Sequence, residues 1–210
     1  MRPTSYQVPA GNACVEQEIK RSRFIAAVGR AVNQQAAHTF IEKARSTHPD
    51  ARHHCWAYVA GNPFNTVQVG MSDDGEPQGT AGKPMLSVLR YSEIGEIVAV
   101  VTRYFGGIKL GTGGLVRAYS GSLQMALQKL PLKKFVAVAT ARVTLPYPYE
   151  NAVRLLLEKM KIGITAVNYT DRVILTIEVP ENQTKELAQQ IVDQTHGDMQ
   201  INWLTESIGD

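Results

Sequence analysis

The passage from Val100 to Ser120, VVTRYFGGIKLGTGGLVRAYS, holds the residues of this chain best suited to binding an anion. Five of the nine residues from 106 to 114 are glycines. Glycine permits positive φ and lets a ligand approach backbone amides closely. The first amides of a following helix lack internal partners and lie at the positive end of its dipole. The passage therefore predicts an anion-binding loop between a buried strand and a helix.

The loop does not follow a standard nucleotide-binding pattern. Its spacing matches neither the Walker A motif nor the dinucleotide motif G-x-G-x-x-G. One alternative is that the glycines serve only a tight strand-to-helix turn. Basic and aromatic side chains nearby suit an RNA surface, on which charge holds the backbone and rings stack on bases. The predicted anion- or nucleic-acid-binding residues are Arg21, Arg23, Lys83, Arg103, Tyr104, Gly106, Gly107, Lys109, Gly111, Thr112, Gly113, Gly114 and Arg117.

Two further stretches carry groups capable of chemistry. Asp73, Asp74 and Glu76 are weak candidates for a divalent cation, because no ladder of ligands follows them as in an EF-hand. The alternative is a structured loop whose carboxylates accept backbone amides or pair with arginines. His54 and Cys55 are adjacent, so on a strand they point to opposite faces and do not form a nucleophile–base pair. We predict no catalytic residues, no metal and no cofactor, and expect Cys55 in the core.

The charges divide unevenly along the 210 residues. Residues 1–134 carry 16 Lys and Arg against 9 Asp and Glu, whereas residues 135–210 carry 6 against 10. This predicts that a polyanion would meet the first part of the chain. No stretch has signal-peptide or membrane-span character, and two cysteines make no disulfide framework, so we expect a cytoplasmic protein that does not bind membranes.

The hydrophobic patterns predict an α+β protein of two domains. In the first, residues 1–134, we expect strands at 14–20, 23–30, 53–60, 67–71 and 94–105 and helices at 33–48, 83–91 and 115–130. Pro131–Lys134 breaks the pattern. In the second domain, residues 135–210, we expect strand 135–145, helix 148–160, strands 163–170 and 172–179, helix 181–195 and strand 198–205. That βαββαβ order is typical of a ferredoxin-like domain.

Four passages resemble the YigZ/IMPACT family, and specifically its bacterial two-domain members. They are EIKRSRFIA at 18–26, HPDARHHCWAYV at 48–59, SDDGEPQGTAGKPML at 72–86 and VVTRYFGGIKLGTGGLVRAYSG at 100–121. The resemblance implies an N-terminal domain like the second domain of a small-subunit ribosomal protein. It implies a C-terminal domain like the ferredoxin-like last domain of elongation factor G. Eukaryotic relatives act in translational control by binding the activator of a starvation-responsive kinase, and no catalytic residue set follows from the resemblance.

Together these features favour a non-catalytic, translation-linked protein that contacts RNA or the ribosome through its basic N-terminal domain. Two alternatives remain open on the sequence. One is a protein–protein adaptor, as in the eukaryotic relatives. The other is an enzyme acting on a small phosphorylated ligand, with the glycine loop as its anion cradle.

Overall fold

The apolar run that precedes the glycine loop forms the middle strand of a five-stranded antiparallel sheet. The computed structural model describes residues 5–64 and 68–204 and has a two-domain α+β architecture. The chain divides into two units, residues 1–135 and 136–210. The elements of the first unit are β1 (Ser5–Pro9), β2 (Ala13–Ile19), β3 (Ser22–Arg30), α1 (Gln34–Thr47), β4 (His53–Val59), β5 (Val69–Ser72), α2 (Gly82–Tyr91), β6 (Ile97–Tyr104) and α3 (Thr112–Gln128), followed by β7 (Leu132–Val136) at its end.

The sheet has the order β2-β3-β6-β4-β5 and is covered on both faces. Helix α1 lies over one face, where Val98 and Val100 of β6 are buried. Helices α2 and α3 lie over the other, where the alternate β6 residues Ala99 and Val101 are buried. Because both faces of β6 are apolar, the sequence shows a continuous hydrophobic run instead of alternation.

The strand predicted at 94–105 is shorter in the structure. Glu93 and Glu96 have φ values of 55° and 51°, and a strand cannot continue through such residues. β6 therefore starts at Ile97. The hairpin partner predicted at 67–71 is β5 at 69–72, and Val67 itself lies outside the described residues. No prediction anticipated β1, which pairs with β7 in a separate two-stranded sheet.

The second unit has the predicted βαββαβ order. Its elements are β8 (Val138–Leu145), α4 (Glu150–Lys159), β9 (Gly163–Tyr169), β10 (Val173–Pro180), α5 (Thr184–Thr195) and β11 (Gln200–Leu204). The sheet order β11-β8-β10-β9 is antiparallel throughout, as expected for a ferredoxin-like fold. The predicted strand 135–145 is divided, since residues up to Val136 pair with β1 and those from Val138 join this sheet. Residue 205 lies outside the described residues.

Candidate functional site

The glycine loop lies at the same end of the sheet as the β2–β3 turn. Arg23 of β3 pairs with Tyr104 of β6, so the turn before β3 and the loop after β6 are neighbours. The contact is close, because a Cβ added to Gly106 would overlap the backbone carbonyl group of Arg21. The Gly106 amide donates to Ser22 Oγ at 3.1 Å. Glycine is therefore required at 106 to let two backbones touch.

Helix α3 begins with exposed and uncapped amides. Gly111 precedes it with φ 74°, and no side chain caps the helix. The first helical hydrogen bond runs from the Leu115 amide to the Gly111 carbonyl at 2.9 Å. The amides of residues 112–114 thus precede the first bonded turn. Arg117 reaches back toward them, since its Nη1 lies 3.6 Å from where a Gly113 Cβ would be.

Three predicted basic side chains of this region are exposed and make no ion pair within residues 5–64 and 68–204: Arg21, Lys109 and Arg117. They come from the β2–β3 turn, the glycine loop and α3. Arg23 is exposed but pairs with Glu16 at 2.8 Å, and its guanidinium lies 5.2 Å from the ring centroid of Tyr104.

Lys83 lies apart from the loop residues. It stands on the first turn of α2 and lines a separate hollow of 550 Å³ with Met71, Leu86, Ser87, Arg90 and Tyr91. Tyr104 is also less available than predicted. Its ring is half-buried, and its hydroxyl lies 3.2 Å from His48 Nδ1. The structure therefore does not bring either residue into the surface formed by Arg21, Lys109 and Arg117.

Arg103 does not present its charge at the surface. Its side chain is 6% exposed, and Nη1 donates to Glu76 Oε1 at 2.7 Å. The Tyr119 hydroxyl donates to the same carboxylate oxygen at 2.7 Å. Burial is the main reason that the pKa of Tyr119 is raised far above its usual value, so the hydroxyl keeps its proton and remains a donor. The expectation that Arg103 is an exposed anion-binding residue needs this correction, because its charge is neutralised inside the protein.

The loop that carries Asp73, Asp74 and Glu76, which we call the acidic loop, is held together by its own hydrogen bonds. Asp73 accepts the amides of Gly79, Ala81 and Gly82 at 2.7–2.9 Å. Burial alone would raise the pKa of Asp73, but these three amides outweigh it and hold the pKa below its usual range. The structured-loop alternative therefore accounts for this carboxylate.

Asp74 is similarly engaged. It accepts the His54 amide at 2.7 Å and pairs with Arg45 at 3.1 Å. Across the described ranges no group of three His, Cys, Asp or Glu side chains is arranged to hold a metal ion. Asp73, Asp74 and Glu76 thus position the loop, the start of α2 and the Arg103 side chain.

Cys55 is in the core, as predicted. It is fully buried, and its Sγ donates to the Asp73 carbonyl at 2.9 Å. Burial raises the pKa of the Cys55 thiol well above its usual value, so it remains a thiol at neutral pH. The neighbouring His54 is 6% exposed, and its Nε2 lies 3.1 Å from the His48 carbonyl.

A pocket of 390 Å³ opens between the glycine loop and the acidic loop. Its lining residues are Glu76, Pro77, Arg103, Phe105, Lys109, Leu110, Gly111, Thr112 and Leu115. The buried Arg103–Glu76 pair and the first residue of α3 thus border one cavity. The arrangement can hold a small anionic group with an apolar part, because amides, a lysine and apolar side chains line the same space.

The prediction omitted Phe105 from the site, although it is the exposed ring of this region. It is 51% exposed, and the Arg103 guanidinium carbon lies 5.5 Å from its ring centroid. The available signal was its position next to Tyr104 and directly before the glycine loop, among the basic and aromatic residues that suit an RNA surface.

Comparison with known proteins identifies the domains. Residues 20–127 match the model of the Impact N-terminal domain, and residues 143–198 match that of a domain of unknown function, DUF1949. No helix of the described residues is long and apolar enough to cross a membrane.

Relatives match over nearly the whole chain. IMPACT family member YigZ of Escherichia coli (strain K12) is 42% identical, covering 94% of this chain and 97% of its own. An IMPACT family member of Haemophilus influenzae is 41% identical, covering 95% and 97%. A crystal structure of a hypothetical protein, 40% identical, superposes with a TM-score of 0.70 over 98% of this chain and 100% of its own. The chain therefore belongs to the IMPACT family.

Proposed function

We propose that this protein is a non-catalytic, translation-linked RNA-binding protein. Its binding surface would be the loop end of the first unit, formed by Arg21, Lys109, Arg117 and the start of α3, which we call the basic edge. The observation that carries the proposal is that two exposed basic side chains, Lys109 and Arg117, lie beside the uncapped start of α3. The turn that carries the exposed Arg21 touches Gly106 of the same loop. Such a combination of cations and amides recognises phosphate without requiring a particular base.

The charge distribution supports the same surface. The first 134 residues carry a net excess of seven basic residues, and the remaining residues an excess of four acidic ones. A phosphate backbone is attracted to the first unit and repelled from the second. The proposed partner is RNA, free or within the ribosome.

An enzymatic role with the acidic loop as base or metal holder has less support. Asp73 and Asp74 accept backbone amides, and Glu76 is neutralised by Arg103. A general base needs a carboxylate that can reach a substrate proton. None of these three is free for that task without breaking the loop.

Affinity for labelled single-stranded RNA and for purified ribosomes tests the proposal. The variant Arg21→Glu/Lys109→Glu/Arg117→Glu reverses the charge of the basic edge. The control Arg142→Glu/Lys159→Glu/Lys185→Glu makes the same charge change at exposed positions of the second unit. We expect the first to weaken binding at least tenfold and the control to leave it within about twofold. Equal weakening by both, or no binding by the wild type at low salt, would contradict the proposal; a protein partner would then be the better candidate.

A further inference from the structure

The pocket beside the basic edge has the parts needed to hold one nucleotide. Resting on the proposed RNA binding, we propose that it takes a single unpaired nucleotide of the bound RNA. The base lies against Phe105, and the phosphate lies at the first turn of α3 beside Lys109 and Arg117. This assigns the pocket a ligand class, a nucleoside 5′-monophosphate unit within a single strand.

Phe105 is the stacking platform. Half of its surface is exposed, and it lines the pocket, so a planar base can contact the ring from the pocket. The Arg103 guanidinium, 5.5 Å from the ring centroid, supports the ring from within the protein. Stacking on an aromatic ring is tolerant of base identity, since every base has a π-face.

The phosphate position follows from α3. Thr112 and Gly111 line the pocket, and the helix start carries no side-chain cap. Its amides are therefore available as donors to an anion at the positive end of the helix dipole. Lys109 lies on the pocket wall, and the Arg117 guanidinium lies near Gly113. Two cations thus lie beside the amides that would bind the phosphate.

Arg103 provides a second, independent indication of a ligand. Its side chain is 6% exposed and lines the pocket. Nη1 and Nη2 donate to Glu76 and Ser22, but Nε finds no hydrogen-bond partner among the residues that the structure describes. An unsatisfied buried donor is costly. One unsatisfied donor therefore belongs to a residue of the pocket wall, next to the proposed position of the nucleotide.

The pocket has room for a small ligand, and its stacking ring is open to an unstacked base. Its volume of 390 Å³ lies within the roughly 300–1,000 Å³ range of small-molecule sites. A base inside a duplex is stacked on both faces and cannot reach Phe105. A pocket that holds an unstacked base therefore favours single-stranded RNA over a double helix.

Titration of the full-length protein with adenosine monophosphate, followed by backbone and aromatic NMR, tests the site directly. We expect shifts of the amides of residues 112–114 and of the Phe105 ring. Inorganic phosphate is expected to shift the amides alone, and adenosine the ring alone. Adenosine monophosphate that shifts neither group, or shifts residues elsewhere, would overturn the inference whatever the protein does with longer RNA.

Affinity for a single-stranded oligoribonucleotide separates this inference from the proposed function. Phe105→Leu removes the ring but keeps an apolar side chain, and should weaken binding about five- to hundredfold. The control Tyr91→Leu removes a ring that is 88% exposed on α2, outside the pocket, and should leave the affinity for the oligoribonucleotide unchanged. Tight wild-type binding that Phe105→Leu leaves unchanged would overturn the nucleotide site while RNA binding stands. If adenosine monophosphate bound as tightly as the oligomer, the pocket would bind a free nucleotide, and the assignment of its ligand to RNA would be wrong.

Discussion

Arg103 Nη1 and Glu76 Oε1 lie 2.7 Å apart in a buried ion pair that joins β6 to the acidic loop. The pair fixes the loop against the end of the sheet, and Tyr119 of α3 donates to the same carboxylate. Strand β6, the acidic loop and helix α3 are therefore connected through one carboxylate. The pair acts on binding by positioning these parts, since neither charge is exposed.

Breaking this pair should destabilise the protein strongly. Arg103→Met leaves a buried carboxylate without its cation, and Glu76→Gln leaves a buried guanidinium without its anion; each should cost about 3–5 kcal/mol in urea unfolding. The double variant should recover most of that loss, because the amide oxygen introduced by Glu76→Gln would still accept the Tyr119 hydroxyl. The exposed Arg117→Met is the control, with an expected change within about 0.5 kcal/mol. Additive losses in the double variant would show that the two charges do not compensate each other.

The two adjacent glycines of the loop should respond differently to alanine. A Cβ at Gly106 would overlap the Arg21 backbone, so Gly106→Ala must displace the β2–β3 turn and should cost about 3 kcal/mol or more. Gly107 has φ 85° but nothing within 4 Å of an added Cβ. Gly107→Ala should therefore cost only the backbone strain, about 1–2 kcal/mol. Thermal or urea unfolding of both variants measures the difference, and equal losses would contradict the close approach.

Asp73 should make the unfolding free energy depend on pH in the acidic range. Its folded pKa is depressed, so the stabilisation is fully present above the unfolded value of about 3.9 and is lost as the pH falls through the folded value. Wild type should lose more unfolding free energy than Asp73→Asn as the pH falls from about 6 to about 3. At neutral pH that variant should already be less stable, by of order 3 kcal/mol, because an amide oxygen replaces a carboxylate that accepts three amides. The matched control is Asp50→Asn, at an exposed position that makes no ion pair in the described residues. If the unfolding free energy of Asp73→Asn fell with pH in parallel with that of the wild type, this role of Asp73 would be contradicted.

Local patterns predicted much of the fold. The apolar run of β6, the period of α3 and the βαββαβ order of the second unit all depend on residues close in sequence. The start of β6 was misplaced, because positive φ at Glu93 and Glu96 has no local signature in glutamate. Strand β1 was missed since its partner β7 lies more than a hundred residues away, beyond the reach of periodicity.

The candidate site was predicted in outline but not in its charges. Arg103 was expected at the surface because its neighbours are glycines and aromatics; its burial depends on Glu76, 27 residues earlier. Tyr104 was predicted at the binding surface but packs against His48 and Arg23, while the neighbouring Phe105 is exposed. Such pairings are decided by tertiary packing, which no single-sequence pattern encodes.

The salt dependence of RNA affinity tests the central claim most directly. Binding that neutralises phosphates releases counterions, so log K should fall linearly with log salt concentration, by about 0.7 per phosphate contact on a single strand. The variant Arg21→Gln/Lys109→Gln/Arg117→Gln removes three charges of the basic edge without adding negative ones. We predict that its slope is shallower than that of the wild type by roughly 2. A wild-type affinity insensitive to salt, or an identical slope in the variant, would contradict the claim that the basic edge binds the RNA backbone.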